Sequence, residues 1–430
     1  MHPYAVASYI TQLYEVLTYD DLQWVGLNRM TIRVSRIIIL GFFIMLTTLA
    51  IYGAFSSTFA NAAPSTSTAV RSSCITYDPK DKMIKISCGV ATLSDIDKQL
   101  RDPDILSIDH SNSSTSDNIK TWLLNAGVMV GKGASLNLSP EDVAWIKIVA
   151  DGRTAHPIQV VGNLKVDSVK ITSWNPKKND YLKFKYETLP SRNYEKSGID
   201  QVPRPYIIVQ EEATGTANVT NSELGYLGYA CGGGCSGLSY YGGQGSIIKG
   251  NHIHHNRFGF YSNGVSNILL EDNLVDHNYL YGFDPHTGTH DMTIRNNTVH
   301  DHGAMGIICS LNCYNIIVEN NTVSNSHGSG IMFSRNMSNS VARNNYVYNE
   351  TNCIFVSQSH NNEIYYNRLV GCDDAIHLFH KSSNNVVHNN SITDSGNPVN
   401  TDDVKASVYR NKVYSNSVTS SDKQNERVVS

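Results

Sequence analysis

Asn297-Thr-Val299, Gly306-Ile307, Asn321-Thr-Val323, Gly330-Ile331 and Asn345-Tyr-Val347 follow one another along the chain, and their spacing decides the fold. An Asn, any residue and an aliphatic recur at Asn251, Asn273, Asn297, Asn321, Asn345, Asn367, Asn390 and Asn411, in steps of 22, 24, 24, 24, 22, 23 and 21 residues. A second column runs in phase: Gly259-Phe260, Gly282-Phe283, Gly306-Ile307, Gly330-Ile331, Cys353-Ile354 and Ala375-Ile376. Each unit is too short for a helix plus a strand with loops. Within it, residues alternate apolar and polar, as in Asn315-Ile-Ile-Val-Glu-Asn320, which is the two-residue period of a strand. Stacked turns would align each strand with its copy and bury one continuous aliphatic column. The pattern predicts an all-β chain, a right-handed parallel β-helix with rungs of 21–24 residues. A leucine-rich repeat has a similar period but needs several Leu per repeat, which these rungs lack.

The same alternation continues upstream in Leu136-Asn-Leu138, Ile146-Lys-Ile148, Leu164-Lys-Val166 and Val169-Lys-Ile171, placing the start of the stack near residue 130. The chain then divides into a leader (1–63), an N-terminal capping region (64–130), the β-helix (131–415) and a polar tail (416–430) expected to fray. An open end of stacked strands needs a cover. Two short helices are expected to supply it, one capped by Ser94 with Ile96 and Leu100 on one face, the other carrying Ile119, Trp122 and Leu123. The recurring Asn at each bend is expected to stack into an amide ladder that satisfies backbone groups. The sequons at Asn296, Asn320 and Asn349 are read as parts of that ladder rather than as glycosylation sites.

Composition excludes several classes. Hydrophobic residues make up 40% of the 430, enough for a large core, so the chain is not intrinsically disordered. Charged residues reach only 17%, against the roughly 25% usual in average chains, which argues against a coiled coil or bundle. Lys and Arg number 34 and Asp and Glu 38, so bulk charge does not point to a nucleic-acid partner.

Ile37 to Phe55 is an apolar run preceded by Arg33 and Arg36 and followed by Ala60-Asn61-Ala62. This is the layout of a signal peptide cleaved near Ala62 or Ala63, with Met30 as an alternative start. An uncleaved membrane anchor is the competing reading, and it would be the chain's only membrane contact. Either way the protein is expected to be exported, to the periplasm, the cell surface or the medium. All eight Cys follow the leader and fall into close pairs: Cys74 with Cys88, Cys231 with Cys235, Cys309 with Cys313, and Cys353 with Cys372. That spacing favours disulfides in an oxidising compartment over a zinc site.

Departures from a repeat consensus carry chemistry, because the consensus itself serves packing. The residue after each Gly is apolar and should face inward, so the second and fourth residues should face outward. In the rung of Gly282 these are Asp284 and His286, with Tyr281 just ahead, and two rungs on stands Arg335. An Arg on an extended strand face suits a carboxylate, so the expected partner is an acidic polysaccharide. His377 and His380 are expected to line the same groove two to three rungs away. His252, His254 and His255 read as a solvated corner rather than a metal site. No cofactor is indicated, and no calcium-binding nonapeptide repeats are present.

Tyr281-Gly-Phe-Asp-Pro-His286 resembles the Y-G-x-D-P-H signature of mannuronan C5-epimerases, which convert β-D-mannuronate to α-L-guluronate in alginate. Ile171-Thr-Ser-Trp-Asn175, Leu227-Gly-Tyr229, Ile248-Lys-Gly-Asn251 and Ser329-Gly-Ile-Met-Phe-Ser-Arg335 are similar to segments of the family's bacterial periplasmic branch, over roughly 130–400. The resemblance implies that His286 and Tyr281 act as base and acid, in that order or the reverse. It implies that Arg335 neutralises the substrate carboxylate, and that Asp284, if protonated, hydrogen-bonds the same carboxylate and otherwise orients His286 or Arg335. Two departures stand out: Thr287 follows the motif where an acidic residue is usual, and Leu311 occupies a position where the periplasmic branch has Arg. A β-eliminating polysaccharide lyase and a non-catalytic carbohydrate-binding β-helix remain the alternatives.

Overall fold

The computed structural model describes residues 73–110, 120–184, 199–231, 234–401, 409–420 and 423–429. The leader and Ile119 lie outside these residues. Among those described, strands form three long sheets of 13, 12 and 14 strands, and consecutive strands of each sheet are one turn apart in sequence. Apart from antiparallel pairs at the ends of the stack, neighbours pair in parallel and in register, so like residues stack. On the first sheet Phe260, Phe283, Ile307, Ile331, Ile354 and Ile376 form one column. On the second, Val219, Ile248, Leu270, Ile294, Val318, Ala342, Ile364 and Val387 form another. On the third the column is Leu224, Ile253, Val275, Val299, Val323, Val347, Leu369 and Ile392. All of these are buried and belong to one core.

The corners are sealed by side-chain amides. Between the second and third sheets, Asn251, Asn273, Asn297, Asn321, Asn345, Asn367, Asn390 and Asn416 stack. Each Nδ2 donates to the next Oδ1 at 2.9–3.1 Å. The same Oδ1 accepts the preceding Asn backbone N–H, and each Nδ2 also donates to a backbone carbonyl, as Asn321 does to Ile294. The ladder is thus where expected, with one change of membership. Asn411 belongs to a different corner, where it accepts from Asn385 below Asn362, and Asn416 takes its place. The sequon residues Asn296, Asn320 and Asn349 are also outside the ladder. They occupy exposed bends with φ of 58°, 56° and 55°, a left-handed conformation that Asn tolerates better than most residues.

The stack starts earlier than the alternation suggested. Met83–Ile86 already pairs in parallel with Gly127–Val130, and Gly89–Ala91 with Ala134–Leu138. The cover is one helix, Leu93–Leu100, whose N-cap is Thr92 rather than Ser94. Thr92 and Asp95 form a reciprocal capping box, and Leu93 and Ile96 are buried. Asp142 fastens this helix to the stack by accepting the N–H groups of Leu93 and Ser94 at 2.7 and 3.2 Å. The expected second helix is a strand, Thr121–Leu124, in which Trp122 is buried and donates to the Asp142 carbonyl. Parallel pairing with Trp145–Val149 overrides the local pattern there. The tail is likewise structured: Asn416–Ser420 extends the third sheet, and Lys423–Val429 closes it in antiparallel fashion.

Candidate active site

Register places the candidate residues on the outer face of the first sheet. Phe283–His286 is one strand, with Phe283 inward and Asp284 and His286 outward. Asp284 aligns with Tyr261 of the previous rung, and His286 with Asn263 behind it and Ser310 ahead. Although they face outward, Asp284 is only 3% exposed and His286 7%. An aromatic cluster on one side (Phe258, Tyr261, Tyr279, Tyr241) and an apolar strip on the other (Met305, Ile308, Met332, Phe355) account for this. Tyr281 packs against both groups, and its ring lies 5.0 Å from that of Phe258. The motif residues are therefore shielded on the outer face of the sheet, where water is partly excluded and charge interactions strengthen.

The His286 Nδ1 is hydrogen-bonded to the Thr287 hydroxyl, and its ring lies 5.7 Å from that of Tyr261. A hydroxyl both donates and accepts. With Nδ1–H donating to Thr287, Nε2 is left as a base; with the Thr287 hydroxyl donating, Nε2 carries the proton. Thr287 thus holds the imidazole from the residue that follows the motif. Arg335 approaches from the rung two turns on. Its Nη2 donates to the Ser310 hydroxyl at 2.9 Å, and Ser310 is the in-register partner of His286. A guanidinium is thereby carried to the rung beside the imidazole.

Arg335 belongs to a column of bends, Thr287, Leu311, Arg335, Gln358 and His380, with φ of 44°, 64°, 53°, 52° and 33°. The bends after the second sheet use Asp272, Asn296, Asn320, Asn344, Tyr366, Asn389 and Ser415 at the same backbone region. Left-handed geometry costs most L-residues about 1–2 kcal/mol and Asn or Asp less.

His377 and His380 are four rungs from His286, not two to three, or roughly 19 Å at ~4.8 Å per strand. His377 does share the outer column of Asp284, through Ile308, Met332 and Phe355. Its Nδ1 lies 3.1 Å from Asp374 Oδ2 and 3.2 Å from Asn352 Oδ1. Sequence reasoning missed Tyr261, Asn263, Ser310 and Tyr241. The first three follow from the alternation rule once it is applied to the flanking rungs. Burial, with the Asp284 charge adding, pushes the Tyr241 hydroxyl pKa up, while its bond with Tyr261 opposes.

Three expected disulfides are formed: Cys74–Cys88, Cys231–Cys235 and Cys353–Cys372. The fourth is not. Cys309 and Cys313 are free, fully buried thiols. Cys309 faces the core in register with Phe333, and Cys313 donates to the Ser310 carbonyl at 3.1 Å. Burial pushes the Cys313 thiol up to about 12 and the Cys309 thiol well above its ordinary value, so both are inert small apolar residues. The expected solvated corner of histidines also differs. His252 and His254 lie on a strand, with His254 buried, and only His255 occupies the bend.

The family model for the right-handed β-helix region matches residues 206–315, 236–392 and 286–425, which together span more than half of the chain. The chain belongs to the right-handed β-helix family. Among solved β-helices, the periplasmic alginate epimerase AlgG superposes with a TM-score of 0.64 at 18% identity, covering 78% of this chain and 85% of that one. The A-module of the Azotobacter vinelandii mannuronan C-5 epimerase AlgE4 gives 0.45 at 13%, covering 70% and 86%. Pectate lyase Pel9A gives 0.36 at 14%, covering 67% and 69%. At these identities the likeness is one of fold. No curated protein matches the chain in sequence. No helix among the described residues is long and apolar enough to cross a membrane.

Proposed function

We propose that this β-helix is a polyuronate C5-epimerase acting on mannuronan or a closely related β-linked uronan. One observation carries the reading. Asp284 and His286 project from one strand onto the same shielded sheet face, and Arg335 reaches the next rung through Ser310. The C5 proton of a uronate is α to a carboxylate and weakly acidic until that charge is neutralised. Arg335 supplies the neutralising cation, and Asp284 either donates to the carboxylate when protonated or, when ionised, orients His286 or Arg335. His286 Nε2, with Nδ1 held by Thr287, removes the proton, and Tyr281 returns one from the opposite face; the reverse order uses the same groups. The sheet face extends along the axis, as a polymer needs, and His377 lines its far end. The Y-G-x-D-P-H resemblance and the shared fold with a solved alginate epimerase support this choice. Three disulfides support export to an oxidising compartment, where such a polymer is found.

The test is ¹H NMR of polymannuronate incubated with the purified protein. Guluronate anomeric signals are expected, lost on His286→Ala and reduced at least a hundredfold on Arg335→Ala. Unsaturated chain ends would make the protein a lyase. No change with any β-linked uronan would leave a binding module.

A further inference from the structure

The third sheet carries a second constellation, on a different face from the candidate active site. His252 and His254 are two residues apart on one strand and so share a face. Asp276 on the next strand is level with His254. One ligand atom from each of the three lies within 4.8 Å of the other two. His252 Nε2 is 2.9 Å from Asp276 Oδ2, and the two imidazole rings are 4.3 Å apart. His254 and Asp276 are buried, whereas His252 is 42% exposed, which leaves a path from solvent.

We propose that His252, His254 and Asp276 bind one divalent transition-metal ion of the zinc class. Two imidazoles and a carboxylate are the donors such ions prefer, while calcium and magnesium favour oxygen alone. Zinc–nitrogen bonds of ~2.0–2.1 Å put neighbouring donors of a tetrahedral site about 3.3 Å apart; His252 and Asp276 are already at 2.9 Å, and the remaining pairs lie within 4.8 Å. Three protein ligands leave the fourth position open to water or a substrate oxygen. The two His254 nitrogens have partners at hand, Glu223 Oε1 at 3.1 Å and His255 Nδ1 at 2.9 Å. Either partner orients the ring while the other nitrogen turns to the ion, as in metal sites generally. Lys170 holds Glu223 at 2.8 Å and so fixes that support. A more exposed cluster, His277, His300 and Asp301, lies one rung on.

The experiment is metal analysis of the full-length protein dialysed against Zn²⁺ and then passed through a desalting column, with calorimetric titration of Zn²⁺ alongside. One ion per chain is expected, with X-ray absorption showing imidazole in a nitrogen–oxygen shell. Asp276→Asn and His252→Gln should each weaken binding at least tenfold with unchanged circular dichroism; having two variants guards against one that misfolds. Retention of the ion by both folded variants would overturn the assignment. So would binding lost only in His300→Ala, which would place the ion in the exposed cluster. No retained ion in the wild-type protein would refute the site outright.

Discussion

Asn321 shows what one side chain contributes. Its Oδ1 accepts the Asn297 N–H at 3.0 Å, and its Nδ2 donates to the Ile294 carbonyl at 2.9 Å. Asn321→Ala strands both backbone groups in the core, where each unsatisfied group costs ~1–3 kcal/mol. A loss of roughly 2–5 kcal/mol is expected from urea denaturation. Asn320→Ala, one residue away on the exposed bend, should cost no more than the ~1–2 kcal/mol of placing Ala in the left-handed region. Equal losses would refute the ladder's role. At this scale the sequence was informative wherever a residue obeyed the rung. Phe283 and Ile307 could be assigned inward from the Gly column alone. Tyr261 and Ser310 become recognisable only when the alternation is carried to the flanking rungs, because their place comes from cross-strand register with Asp284 and His286. The free state of Cys309 and Cys313 was illegible for a similar reason: sequence proximity suggested a staple, but the strand turns Cys309 into the core.

At the corner between the third and first sheets the amide ladder changes composition. Asn256 accepts the Leu227 N–H, Asn278 accepts that of Asn256, and then His302 and Glu350 take over the acceptor role. Burial pushes Glu350 up to about 8 and His302 down to about 3. The Glu350 pKa is raised above its unfolded value of 4.5, so its contribution to stability is full below pH 4.5 and lost as pH rises through about 8. The His302 pKa is depressed below its unfolded value of 6.5, so its contribution is full above pH 6.5 and lost as pH falls towards 3. Glu350→Gln is therefore expected to raise the melting temperature by several degrees at pH 8 and to have little effect at pH 4. A thermal-shift series across pH checks this, and a variant destabilised equally at both ends would refute it. Element boundaries were the least legible part of the sequence. Trp122 and Leu123 carry no helix-breaking signal, and only the partner strand Trp145–Val149 makes them extended. The cap moved from Ser94 to Thr92 because Asp95 completes the box only from Thr92.

On the scale of the whole molecule, period and alternation made the solenoid and its inward columns readable, because each rung repeats the same instruction. The ends were not readable, since they break the repeat. Their closure predicts a thiol count. The native protein should be unreactive to Ellman's reagent, and denaturation without reductant should reveal two thiols per chain, from Cys309 and Cys313. Four would mean that a further disulfide is open, and none that the core pair is bonded. The buried Asn column has a further property. Every Nδ2 points toward the C-terminal end and every Oδ1 toward the N-terminal end, from Asn251 to Asn416 without reversal. Eight carboxamide dipoles are thus poled in one direction, as in a ferroelectric crystal, and flipping one amide would set donor against donor and acceptor against acceptor at its two neighbours. The handed sense of growth is written into this polarisation, so the protein can lengthen or shorten over evolution only by whole turns inserted head to tail.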